Sequence, residues 1–250
     1  MATNLENNSA KIKICGLSRP VDIDYVNEAK PDYCGFIINV PKSIRNTTPE
    51  QVRALRAKLS TDIVPVGVFR NAPVEQVAEL LLDGTIGVAQ LHGSEDEDYI
   101  RKLRTYGTFT IFKAFRVPSG EEIGDAMEAR PLEDTKAGSA ADEEKERKAS
   151  HLNGALRDWA DAVNASSADL VLLDNGGGGT GKTFEWALAD LIRRPFLLAG
   201  GIGPDNLTDA LDRLHPWGVD MSSSVETDGK KDREKILAAV AKVRKWNQKI

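Results

Sequence analysis

Short apolar runs recur along the chain, at residues 11–15, 33–38, 63–69, 87–91, 108–114, 170–174, 196–199 and 218–222. Most are rich in Val, Ile and Phe and are bounded by Gly, Pro or polar residues, the pattern of buried strands. Between them the apolar spacing changes to that of helices. Val52, Leu55 and Leu59 follow a capping box at Thr48-Pro49-Glu50-Gln51. Ile100 and Leu103 follow a second one at Ser94-Glu95-Asp96-Glu97. Pro73 opens a helix carrying Val74, Val77, Leu80 and Leu81, and Pro204 opens one carrying Leu207 and Leu211. The last helix begins near Asp232, with Ile236, Val240 and Val243 on one face.

This alternation predicts parallel strands joined by right-handed crossovers. Eight strand–helix units in 250 residues fit an α/β protein of the (β/α)8 TIM-barrel type in number and length. An open doubly wound sheet more often has about five or six strands. The expected fold is one barrel domain over 11–250 with an enlarged fifth βα crossover. That crossover holds the run Asp142-Glu143-Glu144-Lys145-Glu146-Arg147-Lys148, so 119–167 reads as a solvated, partly helical insertion with a helix near 141–165. Residues 1–10 read as a flexible polar extension.

Composition narrows the class. The chain is 41% hydrophobic and 28% charged with a net charge of −5, which argues against bulk nucleic-acid binding. No apolar run approaches the ~20 residues of a membrane helix, and the polar start lacks the features of a secretory signal. Two cysteines, Cys15 and Cys34, and three histidines contain no Cys-x-x-Cys pair, so neither a zinc site nor a disulfide frame is expected. A cytoplasmic protein follows.

In this fold the active site lies at the C-terminal ends of the strands. Cys15 ends the first strand and Asp174 the sixth. Alternation sends Ile12 and Ile14 to the helices and Lys13 and Cys15 into the barrel. Lys13 then needs an anion, and Asp220 on the neighbouring eighth strand, or Glu226 just after it, could supply it. A thiol near a cation can serve as a base, and a shielded carboxyl as an acid. Cys34 sits mid-strand and reads as core. Gly200-Gly201 and Ser222-Ser223-Ser224 follow the seventh and eighth strands, where barrels of this type often hold a ligand phosphate.

Gly176 to Thr183 also matches the nucleotide P-loop pattern. A P-loop follows the first strand of its sheet and needs a downstream apolar strand ending in Asp. Here the stretch follows the sixth strand and no such strand comes after it, so nucleotide binding is a remote reading.

Several segments together resemble the phosphoribosylanthranilate isomerases of tryptophan biosynthesis. They are Lys13-Ile14-Cys15-Gly16, Gly35-Phe36 with Pro41-Lys42-Ser43 and Arg45, Val66-Gly67-Val68-Phe69, Gln90-Leu91-His92-Gly93, Leu172-Leu173-Asp174, Gly178-Gly179-Thr180-Gly181, Gly200-Gly201, and Val219-Asp220 through Ser223 with Val225-Glu226. The resemblance implies a barrel isomerase that converts a phosphorylated aminoaldose to its 1-deoxyribulose isomer by an Amadori rearrangement, without a cofactor or metal. By position it implies Cys15 as general base and Asp174 as general acid. It implies Arg45 on the anthranilate carboxylate, His92 and Asp220 at the substrate, and Gly200, Gly201, Ser223 and Ser224 as the phosphate cradle. A monomer and a homodimer are both compatible with it. A sister isomerase acting on another aminoaldose phosphate, and a barrel that only binds a sugar phosphate, are the nearest alternatives. The histidine-pathway isomerase uses two Asp residues where this chain has Cys15 and Asp174.

Three departures stand out. Ser224 occupies a position where the family usually has Gly, so its Cβ could crowd the phosphate or forbid a positive φ. Asn175-Gly176-Gly177 makes the loop after Asp174 short and Asn/Gly-only, so that loop is expected to be mobile. The insertion and the N-terminal extension lie outside the resemblance.

Overall fold

The computed structural model describes residues 9–118, 154–174 and 186–249. Eight parallel strands carry the fold: β1 Lys11–Cys15, β2 Tyr33–Ile38, β3 Val64–Phe69, β4 Val88–Leu91, β5 Thr110–Arg116, β6 Leu170–Asp174, β7 Phe196–Ala199 and β8 Gly218–Met221. Each pairs with its sequence neighbours, and β1 pairs with both β2 and β8. The ring is therefore closed, which leaves no unpaired strand edge.

Helices α1 Pro20–Ala29, α2 Pro49–Arg56, α3 Val74–Leu82 and α4 Glu97–Arg104 follow the first four strands. Then come α5 over 154–165, α6 Leu207–Leu214 and α7 Arg233–Asn247. A 3-10 turn at Trp186–Leu191 precedes β7. The sequence reading names no helix over 20–29. Only Ile23 and Val26 supply its buried apolar face, so its periodicity is weak. Instead Pro20 presets the first turn, and Asp22 accepts from the backbone N–H groups of Ser18 and Arg19 at 3.0 and 2.9 Å.

Two helix starts differ from expectation. Ser94 does not cap α4. Asp96 does, accepting from Tyr99 N–H at 2.9 Å. Glu95 turns inward instead, and its carboxylate takes the N–H groups of Asn71 and Gly93 at 2.6 and 2.7 Å. Pro204 lies in a turn, and α6 begins at Leu207. There the Asn206 side chain holds the preceding loop by bonding Gly203 N–H and Gly201 O, each at 2.9 Å.

The part of 119–167 that is described is a regular crossover. Leu156, Ala160 and Val163 of α5 are buried, and Trp159 donates its indole N–H to Arg116 O at 2.9 Å. This helix lies within the one expected near 141–165; residues 119–153 of the expected insertion lie outside the described ones. Ala10 is also buried, and its backbone exchanges two bonds with the Asn247 side chain. Residues 1–8 of the expected extension are not described.

Strand alternation divides the core in two. Outward residues such as Ile12, Ile14, Val171, Leu173, Leu198, Val219 and Met221 pack with the helices, and Cys34 belongs to this layer as expected. Inward residues Val66, Val88, Phe112, Leu170, Leu172 and Leu197 fill the barrel. At its floor Tyr33, Phe112 and Trp217 pack as a trio with centroid separations of 5.7, 5.8 and 6.3 Å in tilted or edge geometries. Such pairs contribute ~0.5–1.5 kcal/mol beyond their burial. Among the described residues no helix is long and apolar enough to cross a membrane.

Candidate active site

The alternation that sends Leu170 and Leu172 inward puts Asp174 at the top of the same column. Lys13 and Cys15 stand likewise on β1, and Asp220 on β8. These columns open into a cavity of about 560 Å³ at the C-terminal ends of the strands, within the usual size of a small-molecule site. It is lined by all nine residues singled out from the sequence: Cys15, Arg45, His92, Asp174, Gly200, Gly201, Asp220, Ser223 and Ser224.

Lys13 is fully buried below Cys15. Its ammonium donates to both oxygens of Asp220 at 2.9 Å, and its charge acts on the Cys15 thiol. The expected anion is thus Asp220; Glu226 is engaged elsewhere. Gly35 on β2 makes this meeting possible, because a Cβ there would come within 2.8 Å of Cys15 Sγ and 3.1 Å of Lys13 Nζ. Burial pulls the Lys13 pKa down, but Asp220 and Cys15 outweigh it and the net shift is upward. The ammonium therefore stays charged. Burial pushes the Cys15 thiol up, Lys13 draws it back, and Asp220 opposes Lys13; the net shift is upward.

Asp174 is held by ladder pairing on both sides, to Arg116 of β5 and to Ala199 of β7. His92 Nε2 lies 3.1 Å from Asp174 Oδ2. The Gln90 side-chain amide donates to His92 Nδ1 at 2.9 Å, so the ring proton sits on Nε2 and points at the carboxyl group. Gln90 therefore sets the tautomer of His92. It escaped the sequence reading because its role depends on the inward column of β4.

Arg45 gives Nε and Nη2 to the two oxygens of Glu226 at 2.6 and 2.5 Å. Lys231 shares that carboxylate at 2.5 Å and donates to Ser222 O at 3.0 Å. Burial alone would raise the Glu226 pKa, but the two cations outweigh it and hold it below the ordinary carboxylate range. Glu226 was expected from sequence only as an alternative anion for Lys13, and Lys231 was assigned no role. They meet because a short hairpin, Glu226–Thr227 with Lys230–Lys231, folds over the top of β8.

Gly200 and Gly201 both have φ near +74°, a conformation that L side chains rarely adopt. Their loop can therefore turn backbone groups into the cavity. Ser224 is not among the residues with positive φ; it lies in a 3-10 turn, Ser223–Val225, so the expected backbone conflict does not arise. Its methylene packs toward Gly203, where a Cβ would approach it to 3.1 Å. Ser224 Oγ is buried with no hydrogen-bond partner among the described residues. The glycines after Asp174, including the P-loop-like match and the expected mobile loop, lie outside the described residues.

A closed eight-stranded barrel with a thiol, a carboxyl, an imidazole and a glycine-rich loop at its strand ends defines a small-molecule enzyme site built for proton transfer near an anion. The family described as N-(5'phosphoribosyl)anthranilate (PRA) isomerase matches residues 12–144 and 138–242. The chain belongs to that family. It is 35% identical to the N-(5'-phosphoribosyl)anthranilate isomerase of Clostridium acetobutylicum over 94% of this chain and 98% of that one. The crystal structure of phosphoribosyl anthranilate isomerase from Thermus thermophilus superposes with a TM-score of 0.69 at 29% identity, covering 94% of this chain and 99% of that one. A phosphoribosyl anthranilate isomerase in complex with reduced 1-(o-carboxyphenylamino)-1-deoxyribulose 5-phosphate matches at a TM-score of 0.66 and 27% identity, with 94% and 99% covered. The chain is an isomerase on this evidence. The position of Gly176–Thr183, after the sixth strand of a closed barrel, removes the nucleotide reading.

Proposed function

We propose that this isomerase rearranges N-(5-phosphoribosyl)anthranilate to 1-(2-carboxyphenylamino)-1-deoxyribulose 5-phosphate with Cys15 as base and Asp174 as acid. Asp174 gives its proton to the furanose ring oxygen. The C1–O bond breaks and the nitrogen lone pair forms a protonated imine at C1. Cys15 then takes the proton from C2, and that electron pair neutralises the imine to an enolamine. The enol loses its hydroxyl proton and C1 gains one, giving the ketone.

Burial favours the thiol form of Cys15. The thiol gives its proton to solvent before the C2 step, and the Lys13 ammonium, joined by the cationic imine, holds the thiolate that then takes the C2 proton. His92 orients the Asp174 carboxyl through Nε2–H. Arg45, held by Glu226, offers its remaining N–H edge to the anthranilate carboxylate. Asp220 fixes Lys13 from the substrate side. Gly200, Gly201, Ser223 and Ser224 form the phosphate cradle, and the partnerless Ser224 hydroxyl supports this, since a phosphate oxygen would satisfy it. A phosphorylated small molecule is the partner this site suits, and a base that must remain a free thiol suits a reducing cytoplasm.

The observation that carries the reading is the convergence on one cavity of a thiol seated over a buried ammonium and a carboxyl held by a histidine. Purified protein is expected to turn over N-(5-phosphoribosyl)anthranilate and to be much slower on the histidine-pathway aminoaldose assayed beside it. The reverse preference would overturn the assignment of substrate.

A further inference from the structure

Among the described residues two guanidinium groups line the cavity, Arg45 and Arg70, and they are in opposite states. Arg45 is bidentate on Glu226. Lys13 and Lys231, nearby, are paired with Asp220 and Glu226. Arg70 is exposed and makes no hydrogen bond or ion pair among the described residues. It is the one cation at this cavity, among the described residues, whose charge is unmatched.

Its place in the ring matters as much as its freedom. Around the closed barrel β3 lies four strands from β7 and three from β8, so Arg70 sits across the mouth from the Gly200–Gly201 and Ser223–Ser224 loops. The wall on that side is apolar, with Ile37 at the top of β2, Val40 just beyond it and Val68 at the top of β3. A ligand with its phosphate at the β7 and β8 loops that spans the mouth would lay its far end on this wall. An aromatic ring suits such a surface, and a carboxylate on the ring would then reach the rim.

The backbone that presents Arg70 is fixed. The next residue, Asn71, has φ of 56°, and its N–H is held by buried Glu95 at 2.6 Å. Its side-chain oxygen takes Ser94 N–H and Oγ–H at 2.8 and 2.9 Å. Glu95 in turn has Lys113 at 3.6 Å. The β3 and β4 loops are thereby clamped together, and only the arginine side chain projects.

We infer that Arg70 is a specificity-determining residue that meets the ring carboxylate of the substrate from the rim opposite the phosphate cradle. It works with Arg45, whose charge is already half spoken for by Glu226. This rests on the isomerase reading above.

The test compares Arg70→Gln and Arg70→Lys with the unaltered enzyme, using two reduced product analogues: one with the anthranilate carboxylate, one with aniline in its place. Arg70→Gln is expected to weaken the carboxylate analogue about tenfold, the scale of a charge-assisted contact at a partly exposed site, and to leave the aniline analogue unchanged. KM should rise by a similar factor with kcat retained, and Arg70→Lys should recover part of the loss. An equal loss for both analogues, or no loss for either, would overturn the inference. If the unaltered enzyme bound neither analogue, the isomerase reading itself would fall, a distinguishable failure.

Discussion

At the floor of the barrel Tyr33, Phe112 and Trp217 close the interior with ring edges and faces. At the mouth, the same inward columns end in Lys13, Cys15, Asp174 and Asp220. The floor contains no ion pair in that trio; its stability comes from area removed from water and close packing. The mouth holds buried charges whose solvation has been replaced by one another, Lys13 with Asp220 and Glu226 with Arg45 and Lys231. Removing a partner there leaves an uncompensated charge, whereas removing a ring below leaves a void. The two ends should therefore respond to mutation in different quantities: turnover and pH dependence as well as stability above, stability alone below.

The largest effect belongs to the reacting groups. Asp174→Asn should lower kcat by ~10²–10⁴, the usual contribution of a proton-transfer group, with little change in melting temperature. Lys13→Met comes next. It strands Asp220 in a buried site and should destabilise the fold by ~3–5 kcal/mol, read by denaturant unfolding. Adding Asp220→Leu should recover part of that loss. Phe112→Ala should cost about 3 kcal/mol or somewhat more, as ring deletions in cores do, while the folded fraction keeps its kcat. A large kcat loss in Phe112→Ala would erase the proposed contrast between floor and mouth.

A smaller effect lies in the pH profile. Cys15 must be deprotonated to act, so kcat/KM should climb as pH rises through its ionisation. Burial places that ionisation above the ordinary thiol value. Lys13 draws it down, so Lys13→Met should move the rising limb to still higher pH. Lys13→Arg, which keeps the charge, should move it less. A limb that stayed in place without the ammonium would separate Lys13 from the base.

Much of this was legible in the sequence because strand alternation is rigid. Once Ile12 and Ile14 face the helices, Lys13 and Cys15 must face inward, and closure of the ring brings Asp220 beside Lys13. The positions of Cys15, Asp174 and the glycine loop after β7 follow from the same rule. What escaped depends on loops, where no period operates. Ser94-Glu95-Asp96-Glu97 has the spacing of a capping box, yet Glu95 is drawn inward by the N–H groups of Asn71 and Gly93. Glu226 could have reached Lys13 by topology, but the hairpin after β8 carries it to Arg45 and Lys231. Gly203, which makes room for Ser224, is silent until the turn Ser223–Val225 is seen beside it.

The central claim is that the mouth is a catalytic acid–base pair and not merely a binding cup. Its most direct test is single-turnover rearrangement of N-(5-phosphoribosyl)anthranilate by Cys15→Ala, with affinity for the reduced product analogue measured on the same preparation. The account predicts a rate lower by ~10²–10⁴ with the analogue still bound near its normal affinity. Near-normal turnover by that variant would contradict it.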